Sequence, residues 1–543
     1  MPAPVLRPHP THCHPERSAA QSKDPRLLAL HEKNILGAPG PDSETWDRTA
    51  LHGAISEHLP HRRWLGGMAQ LLTCLCFATA LLTGCKPVGP NYVRPEAQAP
   101  ATYKEAPAPL APAAPADQSL RGDWWTIFHD PELDQLEAQI AAANPTLKQA
   151  MESYLAAHDQ VIAARSSFFP KLSAGTAATR QQISSNGPSY SASKPTNYTD
   201  LQLTGTASWE PDLWGRVRRT VEAARSNAQA ASADAANVNL ILHAELAADY
   251  FQLRGLDAQN KLLTATVHDL EGQLDLTNRR LAGGIGTEAD VAQAQTQLET
   301  VRTQLVDLGV ARSHFEHAIG SLTARSELSL PVAPLDFSAV ETLPQPPAGL
   351  PSQLLERRPD IAAAERRTAA ANAQIGVAKS AFYPNITLGA TGGFESLQPG
   401  TWIQGPSALW SLGAQGAELL FDAGQRHALT DEARHQYEAQ AAAYKATVLA
   451  AFNDVEDQLS SLRILSDEAA VEARAVRSAQ HSCDLANQRY QGGVTSYLEV
   501  LTAEATLLAN QRTQLDLATR QYLASVALIR SLGGGWDATR LAP

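Results

Sequence analysis

The chain has 543 residues, a formal net charge of −12, and only 18% charged and 6% aromatic residues. An acidic balance without any basic run interleaved with aromatics excludes a nucleic-acid-binding protein. The five cysteines (Cys13, Cys74, Cys76, Cys85 and Cys483) make neither a disulfide framework nor a zinc-spaced set. His12 and His14 beside Cys13 sit in a Pro-containing leader and are not read as a metal site. No nucleophile–base constellation, phosphate-cradling loop or metal set is present, so no enzyme and no cofactor are expected.

Residues 1–60 read as a mis-called N-terminal extension, because a signal peptide ought to begin the chain and one starts only at 61. In residues 61–84, Arg62 and Arg63 form a basic start, and Leu71 to Leu82 an apolar run of signal-peptide length, too short for a membrane-spanning helix. The run ends in Leu82-Thr83-Gly84-Cys85, which matches a lipobox. Cys85 is therefore the expected site of a covalent diacylglycerol and N-acyl lipid. Lys86 next to it argues against retention in the inner membrane. Residues 85–117, rich in Pro and Ala, read as an extended tether.

A first repeat is expected over 118–330. Asp130-Pro131 and Asn144-Pro145 each place a capping side chain before a proline at the first helical position. Between residues 171 and 210 the helical period gives way to alternation. Leu201, Leu203, Gly205, Ala207 and Trp209 share one face, which predicts a β-hairpin with an apolar side and a polar side. No proline occurs from Asp212 to Leu330. Leu246, Tyr250, Leu253, Leu256, Leu263, Val267, Leu270 and Leu274 make a coiled-coil-like stripe. A helix over 213–282 would be roughly 100 Å long, followed by a second over 287–325. Cys483 and His481, farther on, read as a buried small hydrophobe and a surface residue.

After a linker at 331–350 the plan repeats over 351–535: a helix, a hairpin at 385–421, a long helix at 424–491 and a helix at 496–532, with a tail at 536–543. ARSSFFPKLSAG at 164–175 aligns with AKSAFYPNITLG at 378–389. This is an internal duplication. Both long helices end in a double glycine, Gly283-Gly284 and Gly492-Gly493, and an acid follows each turn. On spacing alone, Thr287-x-x-Asp290 and Ser496-x-x-Glu499 are capping boxes that restart a helix. Arg280 and Arg489 then simply complement the helix ends.

The segments DWWTIFHDPELDQL (123–136), WEPDLWGR (209–216), LLERRPDIAAAERRTAAANAQIGVAKSAFYPNITL (354–388), YQGGVTSYLEVLTAEATLL (490–508) and LGGGW (532–536) carry a resemblance. The chain resembles the outer-membrane efflux protein family, the channel-tunnel proteins, and within it the lipoprotein branch of the resistance-nodulation-division systems. The resemblance covers about residues 82–543. It implies a mainly α mixed fold in a homotrimer, whose long helices form a periplasmic α-barrel. Four strands per protomer would contribute to a shared transmembrane β-barrel. Independently, four strands cannot close a barrel wide enough for transport, and open sheet edges are not tolerated in lipid.

The resemblance also implies a passive duct in the bacterial outer membrane, extending into the periplasm. Its partners would be a periplasmic adaptor (membrane fusion) protein and an inner-membrane resistance-nodulation-division transporter. Arg280, Gly283, Gly284, Arg489, Gly492 and Gly493 would form the adaptor-docking hairpins. Asp290, Tyr490 and Glu499 would close the periplasmic gate, Asp290 meeting Tyr490 and Glu499 ringing the opening. The sequence departs from the family pattern at Thr495 and Thr502, where an arginine and a second ring acid are expected, so any lock has fewer charged links. Capping and gating are compatible roles. A channel for type I protein secretion and a pore-less coiled-coil scaffold are the competing readings, and the four amphipathic strands argue against the scaffold.

Overall fold

The computed structural model describes residues 86–97, 100, 102–105, 123–187, 196–326, 329–330, 334 and 355–541. The expected N-terminal extension, signal peptide, Cys85, tether residues 98–99, 101 and 106–117, and all of the linker at 331–350 except residue 334 lie outside these residues. The described residues fall within one unit, 79–543.

A 3-10 turn at Trp124–Phe128 leads into helix α1 (Pro131–Ala143) and helix α2 (Pro145–Ser166). Both start with a capping side chain: Asp130 accepts from the amides of Glu132 and Leu133, and Asn144 from those of Thr146 and Leu147. Strands β1 (Lys171–Gln182) and β2 (Asn197–Trp209) follow, then helix α3 (Arg216–Ala282) and helix α4 (Glu288–Leu322). The second repeat supplies helix α5 (Pro359–Ser380), strands β3 (Asn385–Ser396) and β4 (Ala408–Ala417), helix α6 (Gln425–Gln491) and helix α7 (Tyr497–Ser531). Helix α3 packs along α5, α4, α2 and α7, so the two repeats share one helical layer.

Three boundaries differ from the sequence expectation by three residues or more, one of them the end of helix α4, at Leu322 rather than residue 325. Helix α3 begins at Arg216 rather than at residue 213, because Asp212 caps the amides of Val217 and Arg218 at 2.9 Å each. The second hairpin ends at Ala417 rather than at residue 421. Asn385 opens β3 and pairs with Ala417, so the ladder has no further partner, and Leu419, Leu420 and Phe421 are left exposed.

The strands form one antiparallel sheet in the order β1-β2-β3-β4. Its register aligns the apolar sets across all four strands: Leu172 faces Ala207, Ala207 faces Ala390, and Ala390 faces Leu412. Directly paired residues share a face, so one side of the sheet is a continuous apolar surface, exposed at Leu172, Trp410 and Leu412. The other side carries Ser173, Thr206, Thr391 and Ser411 in the same registers, with the Ser173 and Thr206 hydroxyls bonded at 2.7 Å. The β2–β3 pairing joins repeat one to repeat two, while β1 and β4 each leave one edge without a strand among the described residues.

The core lies midway along the helices. Phe251 stacks on Tyr522 at 4.7 Å and meets Phe128 edge-on at 4.9 Å, amid Leu133, Ile140, Leu246, Leu253 and Ile319. The leucine stripe of α3 continues below it as Leu263 and Leu270 against Leu298, Val301 and Leu508. At the edge of the core Glu137 and His243, both buried, approach to 2.5 Å, with Trp125 stacked on the imidazole. Burial lifts the Glu137 carboxyl well above its usual range and pushes His243 down to about 4, so both shifts favour the neutral form of each group.

Candidate functional site at the helical turns

The α3–α4 and α6–α7 turns are built alike. Gly283 and Gly492 stay right-handed at φ −78° and −74°, and Gly284 and Gly493 flip to φ +73°. The second glycine of each pair is therefore the one the turn requires. The amides of Ile285 and Val494 fold back onto the carbonyls of Arg280 and Arg489 at 3.0 and 2.9 Å, satisfying the last turn of each long helix.

Beyond the glycines the two turns diverge. Thr287 and Asp290 form a full capping box: the Asp290 carboxylate accepts from the Thr287 amide at 3.0 Å and from its hydroxyl at 2.7 Å. Ser496, at the equivalent place, makes no side-chain cap. Glu499 turns instead to Arg489, with 2.7 Å between Nη1 and Oε1, and also accepts from the Thr495 hydroxyl. The capping-box reading therefore holds for the first turn and is corrected for the second. A guanidinium across the turn offers Glu499 a charge-assisted bond, which outcompetes the neutral backbone amide.

Arg280 crosses between the repeats. Its guanidinium lies 4.3 Å from the centre of the Tyr490 ring, and Nη1 donates to the Tyr490 carbonyl at 3.0 Å. Tyr490 is buried with Ala294, Ala486, Tyr497 and Val500, and its ring sits 5.5 Å from that of Tyr497. Within the described chain the hydrogen bonds of Asp290 go to Thr287 and not to Tyr490. Gly283, Gly284, Gly492, Gly493 and Arg489 are exposed at the tip.

A hydrogen-bonded cluster of four residues here escaped the sequence reading. The Tyr497 hydroxyl donates to Gln273 Oε1 at 3.2 Å, and the Gln273 amide bonds Glu504, which Asn487 also approaches at 3.5 Å. Burial raises the Glu504 carboxyl, and burial first, then the charge of Glu504, raises the Tyr497 hydroxyl. Tyr497 and Glu504 lie on one side of α7, seven residues apart, and that periodicity was the available signal. Cys483 beneath them is buried, which pushes its thiol up to about 11. His481 is exposed. No group of His, Cys, Asp and Glu among the described residues could hold a metal.

The profile of the outer membrane efflux protein family matches residues 136–323 and 350–534, which are the two repeats. The chain belongs to the outer membrane efflux protein family. Within it, the chain is similar to the toluene efflux pump outer membrane protein TtgC of Pseudomonas putida. The two are 31% identical over 473 residues, spanning 86% of this chain and 96% of that protein. It is likewise similar to the pyoverdine export outer membrane protein OpmQ of Pseudomonas aeruginosa, 31% identical over 432 residues, 79% of this chain and 90% of OpmQ. Among solved structures, the outer-membrane channel OprN superposes with a TM-score of 0.75 at 30% identity, covering 83% of this chain and 99% of OprN. CusC superposes at 0.73 with 26% identity, covering 82% of this chain and 99% of CusC. As an outer membrane efflux protein, the chain is the outer-membrane channel component of an efflux pump. Its long helices belong to a helical barrel and its four strands to a transmembrane β-barrel. No described helix is long and apolar enough to cross a membrane.

Proposed function

We propose that this channel is a passive trimeric duct for small molecules. It receives cargo from a resistance-nodulation-division transporter through a periplasmic adaptor and is anchored to the outer membrane by lipid on Cys85. The observation that carries the reading is the open sheet, with one apolar and one polar face and, among the described residues, an edge without a pairing strand at β1 and at β4. Such edges must pair in hydrocarbon, and further copies of the same chain supply complementary ones. The polar face then lines a water-filled lumen. Toluene and pyoverdine, the cargoes in the relatives' names, favour small-molecule efflux over protein secretion.

The paired turns are the adaptor-docking surface in this reading, with Arg280 and Arg489 behind the exposed glycines. A gate made by Asp290, Tyr490 and Glu499 needs neighbouring protomers to complete it. Purified protein should have three protomers by detergent-corrected light scattering and should conduct in a planar bilayer. A stable, non-conducting monomer would overturn the duct. For the anchor, Cys85→Ser should abolish fatty-acid labelling, and a mature N-terminus upstream of Cys85 would refute it.

A further inference from the structure

The part of the expected tether that is described is a bound strap. The Tyr92 hydroxyl donates to Glu365 at 2.6 Å, Arg94 to the Tyr444 hydroxyl at 3.1 Å, and the amides of Lys104 and Glu105 to the Glu456 carboxylate. Its beginning is held most firmly. The Val88 amide donates to the Trp214 carbonyl at 2.9 Å. Buried Arg219 donates to the carbonyls of Val88 and Gly89 at 3.3 and 3.4 Å and to Asn91 Oδ1 at 2.9 Å. A Cβ on Gly215, whose φ is +84°, would stand 2.6 Å from Pro87 Cα, so Pro87 lies directly on the β2–α3 junction.

Cys85 is two positions before Pro87, a reach of about 7 Å at full extension. Beside that junction is a groove of about 460 Å³, walled by Trp214, Tyr383, Ile386, Ala417 and Leu419. Trp214 stacks on Tyr383 at 4.9 Å, and its Nε1 donates to the Pro384 carbonyl at 2.8 Å, which fixes the wall. Of the charged groups that line it, Glu210 pairs with Arg216 at 2.7 Å and Asp212 caps α3, while Glu418 stands at the β4 end. Its apolar wall sits where β3 and β4 meet the helices, beside exposed Leu419, Leu420 and Phe421.

We propose that this groove is the seat of one acyl chain of the lipid on Cys85. The proposal rests on the lipoprotein reading above. The strap makes the occupant specific, because Arg219 and Gly215 hold Pro87 to Asn91 at the junction beside the groove, and the acylated residue is only two positions from Pro87. The anchor is then part of the barrel wall at the helix–sheet junction rather than a loose leash.

The test uses the full chain expressed in cells fed a fatty acid carrying a diazirine, irradiated in the membrane and mapped by mass spectrometry. The acylated Cys85 peptide should cross-link to peptides containing Trp214, Tyr383 or Leu419. Leu419→Arg should lower that yield several-fold with acylation unchanged. Cross-links from acylated Cys85 only to phospholipid or to other positions would overturn the seat while leaving the anchor intact. Labelling of the groove to the same extent in Cys85→Ser protein would overturn it too, by assigning the groove to bulk lipid. Absence of any acyl mass on Cys85 would refute the lipoprotein reading itself, and the seat with it.

Discussion

Arg489 and Glu499 face each other across the α6–α7 turn, Nη1 2.7 Å from Oε1, one before and one after the double glycine. The acid that family resemblance assigns to the channel mouth is thus neutralised within its own protomer. Both side chains are about half exposed, at 54% and 43%, so the pair itself stabilises the turn by only about 0.2–1 kcal/mol. Its consequence is electrostatic.

Arg489→Gln should release the Glu499 carboxylate. Cation selectivity and divalent block from the periplasmic side should both increase, and Arg489→Gln combined with Glu499→Gln should cancel the gain. Reversal potentials in planar bilayers check this. Unchanged selectivity in Arg489→Gln would mean that Glu499 does not face the ion path.

Arg280 on Tyr490 ties the two repeats at the tip by a ring face and a backbone carbonyl. Tyr490→Phe keeps both contacts and should alter gating less, through the hydroxyl offered to a neighbouring protomer alone. Arg280→Ala removes both, at about 0.5–2 kcal/mol for the cation–π part, and should lengthen channel openings and admit large antibiotics into cells. Equal effects of the two substitutions would contradict the geometry.

The two glycines of each turn are not equivalent. Gly493→Ala places a Cβ at φ +73° and should cost roughly 1–2 kcal/mol. Gly492→Ala, at φ −74°, should be tolerated. The same contrast is expected between Gly284 and Gly283. Thermal melting of the detergent-solubilised protein and the adaptor affinity should follow this order.

Burial, reinforced by Glu245, lifts the Asp249 carboxyl from 3.8 to about 6. The folded state therefore holds this proton where the unfolded chain has released it. The associated stability is complete below pH 3.8 and is lost as pH rises through about 6. The loss is at most on the order of 3 kcal/mol. Asp249→Asn should raise the melting temperature above pH 6 and have little effect near pH 4. A melting temperature shifted equally at both pH values would assign the effect to packing instead.

Much of the fold was legible because its signals are local. A capping oxygen acts over two or three residues, which is why Asp130 and Asn144 marked helix starts directly. Strand alternation acts over two, so the face holding Leu201, Leu203 and Trp209 was readable before its partners were known. The duplication and the double glycines placed both turns for the same reason. Tertiary structure alone decided what the polar side chains at those turns do. Thr287-x-x-Asp290 and Ser496-x-x-Glu499 read alike, yet one closes a capping box and the other does not, because Glu499 has Arg489 within reach across its turn. Arg280 meets Tyr490 across 210 positions, and Arg219 meets Asn91 across 128. No spacing rule encodes those encounters, since they exist only once the long helices lie side by side and the strap lies over them.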